Sequence, residues 1–191
     1  GAGGGWQLGH ACGSPGTWGK VAQLAVPIIA DGCILETRLG NGFLAGASAH
    51  TDPAIERTLD EICESGVRIP ANDHPLMEIL RTSAPVLLQS NAASRLIATS
   101  ANPSYLRAMR EMKPESALFL PLVAREQLIG ALTLFRATRS FDSDAAGCAD
   151  TLARLAALAL DNARLHDAVR RSPRSPGERA GGGRQVPRYP G

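Results

Sequence analysis

The 191-residue sequence contains no apolar run that approaches the roughly 20 residues needed for a membrane-spanning helix. It also does not open with the charged and apolar segments of a secretory signal peptide. We therefore expect a soluble chain that does not insert into membranes and resides in the cytoplasm.

Closely spaced cysteines are absent as well. Cys12, Cys33, Cys63 and Cys148 are far apart, and no two of them form a CxxC pair. This spacing indicates neither a disulfide framework nor a structural zinc site. We predict that Cys33, Cys63 and Cys148 are small buried hydrophobic residues.

The main part of the chain lacks an excess of either charge. Residues 20–171 contain 16 Lys/Arg and 17 Asp/Glu, whereas residues 172–191 contain four Arg and one Glu. A nearly neutral domain argues against an extended groove for nucleic acid. We expect no nucleic-acid partner.

Two segments of low complexity flank one domain. Residues 1–19 are rich in Gly, and residues 172–191 are rich in Pro, Gly and Arg. Such segments bury too little apolar surface to offset the entropy of ordering them. We predict a flexible segment over 1–19, one folded domain over 20–171 and a disordered tail over 172–191.

The periodicity of the domain alternates between helix and strand. Helices are predicted over 20–30, after Asp52-Pro53, over 75–82 and after Asn102-Pro103. Strands are predicted over 32–39, 43–50, 85–89, 116–124 and 128–136, with hairpins at "GNG" and "REQ". Hairpins at both ends with helices between them indicate an α+β fold with an antiparallel sheet.

Three of these segments predict which side chains are buried. On the first helix we expect one buried face formed by Val21, Leu24, Ala25 and Ile28. The helix after Asp52 has a predicted buried stripe of Ile55, Leu59, Ile62 and Cys63, and acids on its outer face. The helix after Asn102 places Tyr105, Met109 and Met112 on one face.

The final helix, capped by Asp142 or Ser143, carries two apolar stripes. One stripe consists of Leu152, Leu155, Ala156 and Ala159, and the other of Leu158, Leu165 and Val169. One stripe is enough to cover a sheet. The second either pairs with another helix, in the same chain or in a partner, or belongs to the domain's own core.

Several segments are similar to one known family. "LAVPIIADGCILE", "ASAHTDPA", "LRTSAPVLL" and the stretch from "SALFLPLVAREQLIGALTLF" to "FDSDAAGCADTLARLAALALDNARLH" resemble a bacterial GAF domain. The resemblance covers about residues 20–170, and it is to the subgroup found in histidine kinases and in PP2C-type, SpoIIE-like phosphatases.

The resemblance implies a GAF-like central antiparallel sheet of five or six strands flanked by helices. It also implies a small-molecule pocket on the face opposite the terminal helices, and terminal helices that pair between subunits. The chain shows no phosphoacceptor helix, nucleotide-binding glycine box or set of metal-binding aspartates. Truncation, a stand-alone sensor and a fragment of a longer protein all agree with this ending.

No motif identifies a cofactor. The sequence has no NKFDE-type motif for cyclic nucleotides, no cysteine in a bilin-attachment context and no GxSxG. A haem-ligand role for His74 is less expected than a role in a helix cap or a loop. Residues 70–76 and 90–103 are polar and irregular, as ligand-contacting loops are. The candidate ligand-binding residues are His50, Asn72, His74, Met77, Ser100 and Tyr105.

The sequence therefore predicts a non-enzymatic sensory module of bacterial signal transduction. It would bind a small molecule of unknown identity and form a homodimer through its terminal helices, with no metal and no catalytic residue. Two alternatives remain: a redox enzyme resembling free methionine sulfoxide reductases, and a module that only dimerises.

Overall fold

The computed structural model describes residues 16–171, with side chains up to residue 166. The predictions for residues 1–15 and 172–191, and for the side chain of Val169, lie outside this range. The elements in chain order are α1 (Thr17–Ala25), β1 (Gly32–Leu39), β2 (Gly42–His50), α2 (Pro53–Glu64), α3 (Pro75–Thr82), β3 (Val86–Leu88), α4 (Ala92–Ala98), α5 (Pro103–Met112), β4 (Ser116–Ala124), β5 (Gln127–Arg136) and α6 (Ser143–Arg171).

The five strands form one antiparallel sheet in the order β2-β1-β5-β4-β3. The predicted α+β fold with a central antiparallel sheet of five or six strands is confirmed. Both predicted hairpins are present, and their turns use left-handed backbone conformations. Gly40 has a φ of 59°, and Arg125 and Glu126 have φ values of 50° and 62°.

Each face of the sheet has its own core because side chains alternate along a strand. α1 and α6 cover one face, where Leu35, Leu132 and Leu134 are buried. The second face is covered by α2 to α5 and buries Ile34, Phe119 and Phe135. The three inner strands, β1, β5 and β4, therefore contribute to both layers.

Side-chain caps begin three helices at the predicted residues. Asp52 accepts a hydrogen bond from the Ala54 amide at 2.8 Å, and Asn102 accepts one from the Tyr105 amide at 2.9 Å. Asp142, rather than Ser143, caps α6 by accepting from the Ala145 amide at 2.8 Å. Each cap satisfies an amide that the helix itself leaves unpaired.

The first helix differs from its prediction in position and in its buried face. α1 begins at Thr17 and ends at Ala25, and its buried residues are Val21, Ala22 and Ala25. Leu24 and Ile28 are 60% and 76% exposed. The prediction is confirmed for Val21 and Ala25 and wrong for Leu24 and Ile28. The helix ends before Ile28, so helical spacing does not apply there.

The final helix buries Leu152 and Ala156 of the predicted stripe, but not Leu155. Its buried residues are Ala149, Leu152, Ala153, Ala156, Ala157 and Leu160. Leu155, expected to cover the sheet, is 59% exposed, while Leu158 and Leu165 are 60% and 40% exposed. The alternative in which both stripes belong to the domain's own core is therefore wrong for these two leucines.

Gly130 allows β1 and β5 to approach closely beside a bulge at Leu35 and Glu36. A Cβ atom at position 130 would collide with the carbonyl oxygen of Glu36. The backbone at Glu36 is thus held by a close contact that only glycine permits. Within residues 16–171, no helix has both the length and the apolar character needed to cross a bilayer.

Candidate functional site

Four polar side chains meet inside the core on the face covered by α2 to α5. Glu36 comes from β1, Arg68 from the segment after α2, His74 from the start of α3, and Tyr105 from α5. All four are buried, with exposed fractions of 9% or less. We call these residues the polar cluster. Buried polar groups are costly without partners, so each contact within the cluster matters.

Arg68 is the centre of the polar cluster. Its backbone forms an isolated antiparallel bridge with Phe43, with two N–H···O bonds of 2.8 Å. This extended conformation turns Arg68 inward, while its neighbours Val67 and Ile69 are exposed. The guanidinium forms an ion pair with Glu36 and lies 4.6 Å from the centre of the Tyr105 ring.

His74 links the polar cluster to a helix start. Its Nδ1 accepts a hydrogen bond from the Leu76 amide at 3.1 Å and so caps α3. Its ring lies edge-on to Tyr105 and Phe119, with centroid distances of 5.8 and 5.9 Å. Burial, followed by the neighbouring charge of Arg68, lowers the pKa of His74 to about 3. The imidazole is therefore neutral, and its proton is on Nε2.

Three buried polar atoms on this face have no hydrogen-bond partner among the described residues. They are Nε of Arg68, the hydroxyl of Tyr105 and Oγ1 of Thr133. Thr133 pairs with Ile34 and Phe119 in the sheet, so it lies on the same face as the polar cluster. Burial raises the pKa of Tyr105, and its hydroxyl stays protonated. Unpaired buried donors are rare in folded proteins and call for an explanation.

A cavity of about 200 Å³ opens beside the polar cluster. It is lined by residues 67–70, by His74 and Leu76, and by residues 99–102. Arg68 and His74 thus belong to both the cavity and the cluster, and Tyr105 lies against both of them. The cavity has an apolar rim at Val67 and Ile69 and hydroxyl groups at Thr99 and Ser100.

The structure brings three of the six predicted site residues together. His74 and Ser100 line the cavity, and Tyr105 contacts His74. Asn72 is exposed, and Met77 is partly buried on α3; neither lines the cavity.

His50 ends β2 far from the cavity, which lies near Phe43 at the beginning of that strand. Its Nδ1 accepts a hydrogen bond from the Asp52 amide at 2.9 Å. Burial is the main cause that lowers the pKa of His50, and the charges of Asp52 and Asp31 oppose it. This placement gives His50 a local structural role.

The sequence-based reasoning did not identify Glu36, Arg68 or Thr133. A signal existed for Glu36, because "GCILETRL" places Ile34 and Glu36 on the same face of a predicted strand. A carboxylate on a core-facing position requires a partner. The segment 90–103, which was predicted to be irregular, also differs from its prediction, since residues 92–98 form the helix α4.

Neither Cys33 nor Cys148 lines the cavity. Cys33 is buried on the α1–α6 face, where its thiol donates to the Ala22 carbonyl at 3.6 Å. Burial raises the pKa of Cys33 to about 12. Cys148 is exposed on α6, contrary to its predicted burial. Cys63 is disulfide-bonded, which the separation of the cysteines did not predict. Among the described side chains, no group of three or more His, Cys, Asp or Glu could hold a metal ion.

The family model of the GAF domain matches residues 30–160, which includes the sheet, the polar cluster and most of α6. The chain belongs to the GAF domain family. GAF domains typically act as sensory or regulatory modules of signalling proteins. No curated protein sequence matches the chain.

Solved GAF domains have the same fold. The second GAF domain of DevS from Mycobacterium smegmatis is 21% identical, with a TM-score of 0.58 over 80% of this chain and 96% of that chain. A GAF domain/HD domain protein from Geobacter sulfurreducens is 20% identical, with a TM-score of 0.56 over 76% and 90%.

A third similar structure is a domain of a putative two-component sensor histidine kinase from Sinorhizobium meliloti 1021. It is 16% identical, with a TM-score of 0.51 over 80% of this chain and 94% of that chain. At these identities the similarity is one of fold alone.

The neutral state of His74 predicts that the GAF domain loses stability as the pH falls. In the unfolded chain His74 has a pKa of about 6.5 and binds a proton below that pH. In the folded chain His74 remains neutral down to about pH 3. The stabilisation is complete above about pH 6.5 and decreases below it, by about 2 kcal/mol between pH 7 and pH 5.

His74→Asn is the control, because Asn also caps helices but does not titrate. Urea unfolding at about pH 7 and about pH 5 should show that the wild type loses about 2 kcal/mol more than the variant. Equal losses in the two proteins would mean that His74 is not buried in its neutral form.

Proposed function

We propose that this GAF domain is a non-enzymatic sensory module of a bacterial signal-transduction protein, acting in the cytoplasm. It binds a small molecule in the cavity beside the polar cluster and passes the binding event through its terminal helices to a partner. The observation that supports this most is the unpaired Nε–H of Arg68, a residue that lines the cavity, together with the unpaired hydroxyl of Tyr105, whose ring packs against Arg68. A ligand that supplies acceptors there would satisfy groups that otherwise cost free energy.

The positions of Cys33 and Cys148, the free cysteines of the described residues, favour sensing over redox catalysis. Cys33 lies on the opposite side of the sheet from the cavity, and its raised pKa disfavours the reactive thiolate. Cys148 is exposed on α6, also outside the cavity. A reductase of free methionine sulfoxide needs a nucleophilic thiol beside its substrate. Neither of these residues provides one.

A physical connection leads from the polar cluster to α6. Glu36 faces the cavity side of the sheet, and the next residue, Thr37, accepts a hydrogen bond from Arg164 of α6 at 3.0 Å. Arg164 also donates to the Ile129 carbonyl at 3.3 Å, next to Gly130. A displacement of β1 on ligand binding would therefore change the contacts that position α6.

The test is mass spectrometry of the native protein after exposure to a bacterial metabolite extract. Ser100→Phe places a bulky ring in the cavity, whereas Ser94→Phe adds the same ring to the exposed side of α4. The wild type and Ser94→Phe should each retain one small molecule per subunit, and Ser100→Phe should retain none.

Three results would contradict the proposal. A wild-type chain that takes up no small molecule would favour the alternative in which the domain only dimerises. Thioredoxin- and NADPH-coupled reduction of free methionine sulfoxide, lost on Cys→Ser substitution, would favour the redox enzyme. Retention of the same molecule by Ser100→Phe would place the ligand at another site.

A further inference from the structure

The polar cluster has no net charge to offer a ligand. The guanidinium of Arg68 is already matched by the carboxylate of Glu36, with which it forms an ion pair. His74 is neutral, because it is buried next to Arg68. Among the described residues that line the cavity, Arg68 is the only one with a permanent charge. An ionic ligand would therefore enter a buried site that lacks a counter-charge.

The groups that remain available in the cluster are hydrogen-bond donors. The Nε–H of Arg68 can only donate, and the Tyr105 hydroxyl is unpaired. The Nδ1 of His74 accepts from the Leu76 amide, so its Nε2 carries the proton and can donate. A ligand that fits this cluster must present acceptors such as carbonyl oxygens.

The size of the cavity limits the ligand further. Its volume of about 200 Å³ is below the range of about 300–1,000 Å³ that is usual for drug-sized ligands. Nucleotides and tetrapyrroles exceed that space. A compact molecule, such as a small amide or a single ring that carries a carbonyl, has a suitable size.

We propose that the cavity selects a small uncharged molecule with carbonyl or amide acceptors, and that it rejects the carboxylate of the same shape. This inference rests on the proposed function, because it names the ligand class of the same site. Arg68 and Tyr105 donate to the acceptors, and Glu36 excludes anions because it already neutralises Arg68.

Benzamide and benzoate are matched probes, since they have nearly the same shape and differ in charge. Each is titrated into the isotope-labelled full chain, and amide shifts of Ser100 and Asn102 at the cavity are followed by NMR. Benzamide should bind at least about tenfold more tightly than benzoate at neutral pH, a ratio typical of one well-placed charge or hydrogen bond. Equal or tighter binding of benzoate would overturn the ligand class.

Tyr105→Phe separates binding from folding. The substitution removes a buried hydroxyl that has no partner, so the melting temperature should remain the same or increase. Benzamide should bind about tenfold more weakly because one donor is lost. Unchanged affinity for benzamide would exclude Tyr105 as a contact.

Glu36→Gln tests the charge argument directly. It leaves the charge of Arg68 without a counter-charge, so the variant should bind benzoate more tightly than benzamide. If this variant does not fold, the proposal is still decided by the ratio of benzamide to benzoate affinity in the wild type and by the affinity of Tyr105→Phe for benzamide. Absence of cavity shifts with both probes would also overturn the ligand class. The uptake of a metabolite from the extract tests the proposed function separately, so the two can fail independently.

Discussion

Glu36→Leu is expected to destabilise the domain by about 3–5 kcal/mol, the usual cost of leaving one charge of a buried ion pair without its partner. Both side chains are almost completely buried, with exposed fractions of 8% for Arg68 and 1% for Glu36. No other acidic side chain pairs with Arg68 among the described residues. The guanidinium would keep its charge without compensation.

The double variant Glu36→Leu with Arg68→Met should regain most of this loss. Replacing both members of a buried pair by apolar residues of similar size is often neutral or stabilising. Glu78→Ala is the control at the exposed pair with Arg81, where a loss of about 0.5 kcal/mol or less is expected. Urea unfolding of the four proteins measures these differences.

A double variant as unstable as Glu36→Leu would mean that the carboxylate matters for its packing rather than for its charge. A loss for Glu36→Leu no larger than that for Glu78→Ala would mean that water reaches the pair. Because the same pair neutralises the cavity, the stability result also bears on the ligand class.

Local signals were sufficient to predict most of the sheet. The hairpin of β4 and β5 was predicted over 116–124 and 128–136, and its strands are Ser116–Ala124 and Gln127–Arg136. Alternation, a short polar turn and Asx caps act within a few residues, so the sequence displays them directly. The two helices that begin with Pro53 and Pro103 were predictable for the same reason.

α4 was missed because tertiary contacts define it. The helix has seven residues, and its cap residue Asn91 makes no side-chain capping bond. Its first turn is held instead by bonds from the amides of Ala92 and Ala93 to the carbonyls of Glu115 and Pro114. A short helix is marginal by propensity alone, and these distant partners cannot be read from the local sequence.

The site was predicted only in part, because local signals mark some of its residues and long-range contacts define the others. His74 and Tyr105 lie next to the starts of helices at Pro75 and Pro103, which the sequence indicates directly, so their positions were predictable. The ion pair of Glu36 and Arg68 joins residues 32 positions apart. The backbone bridge between Arg68 and Phe43 turns the Arg68 side chain toward the core. Nothing near "GVRIP" indicates that its arginine is buried.

Leu158→Glu together with Leu165→Glu is expected to make a dimeric domain monomeric without unfolding it. Both leucines are largely exposed in the single chain, with exposed fractions of 60% and 40%, and Leu155 beside them is 59% exposed. α6 already covers the sheet with other residues, so these side chains are not needed for the core. Leucines that stay exposed on α6 are available to a second copy of the chain.

The burial of these leucines allows at most a weak dimer. Each fully buried Leu contributes roughly 1.5–3 kcal/mol, so both leucines on two subunits give on the order of 6–12 kcal/mol. Association costs about 4–15 kcal/mol, and the gain lies at the lower end because Leu165 is already partly buried. Additional burial of Leu24, which is 60% exposed on α1, would strengthen the contact.

Sedimentation equilibrium with circular dichroism tests this dimer. The wild type should show a dimer that dissociates on dilution, and the double variant should be monomeric with an unchanged helix signal. Leu39→Glu is the control, because it places the same charge on a leucine that is 45% exposed at the end of β1, outside the helical layer. This control should dimerise like the wild type. If the double variant unfolds, the leucines stabilise the single chain, and the role of α6 in passing a signal between subunits loses its physical basis.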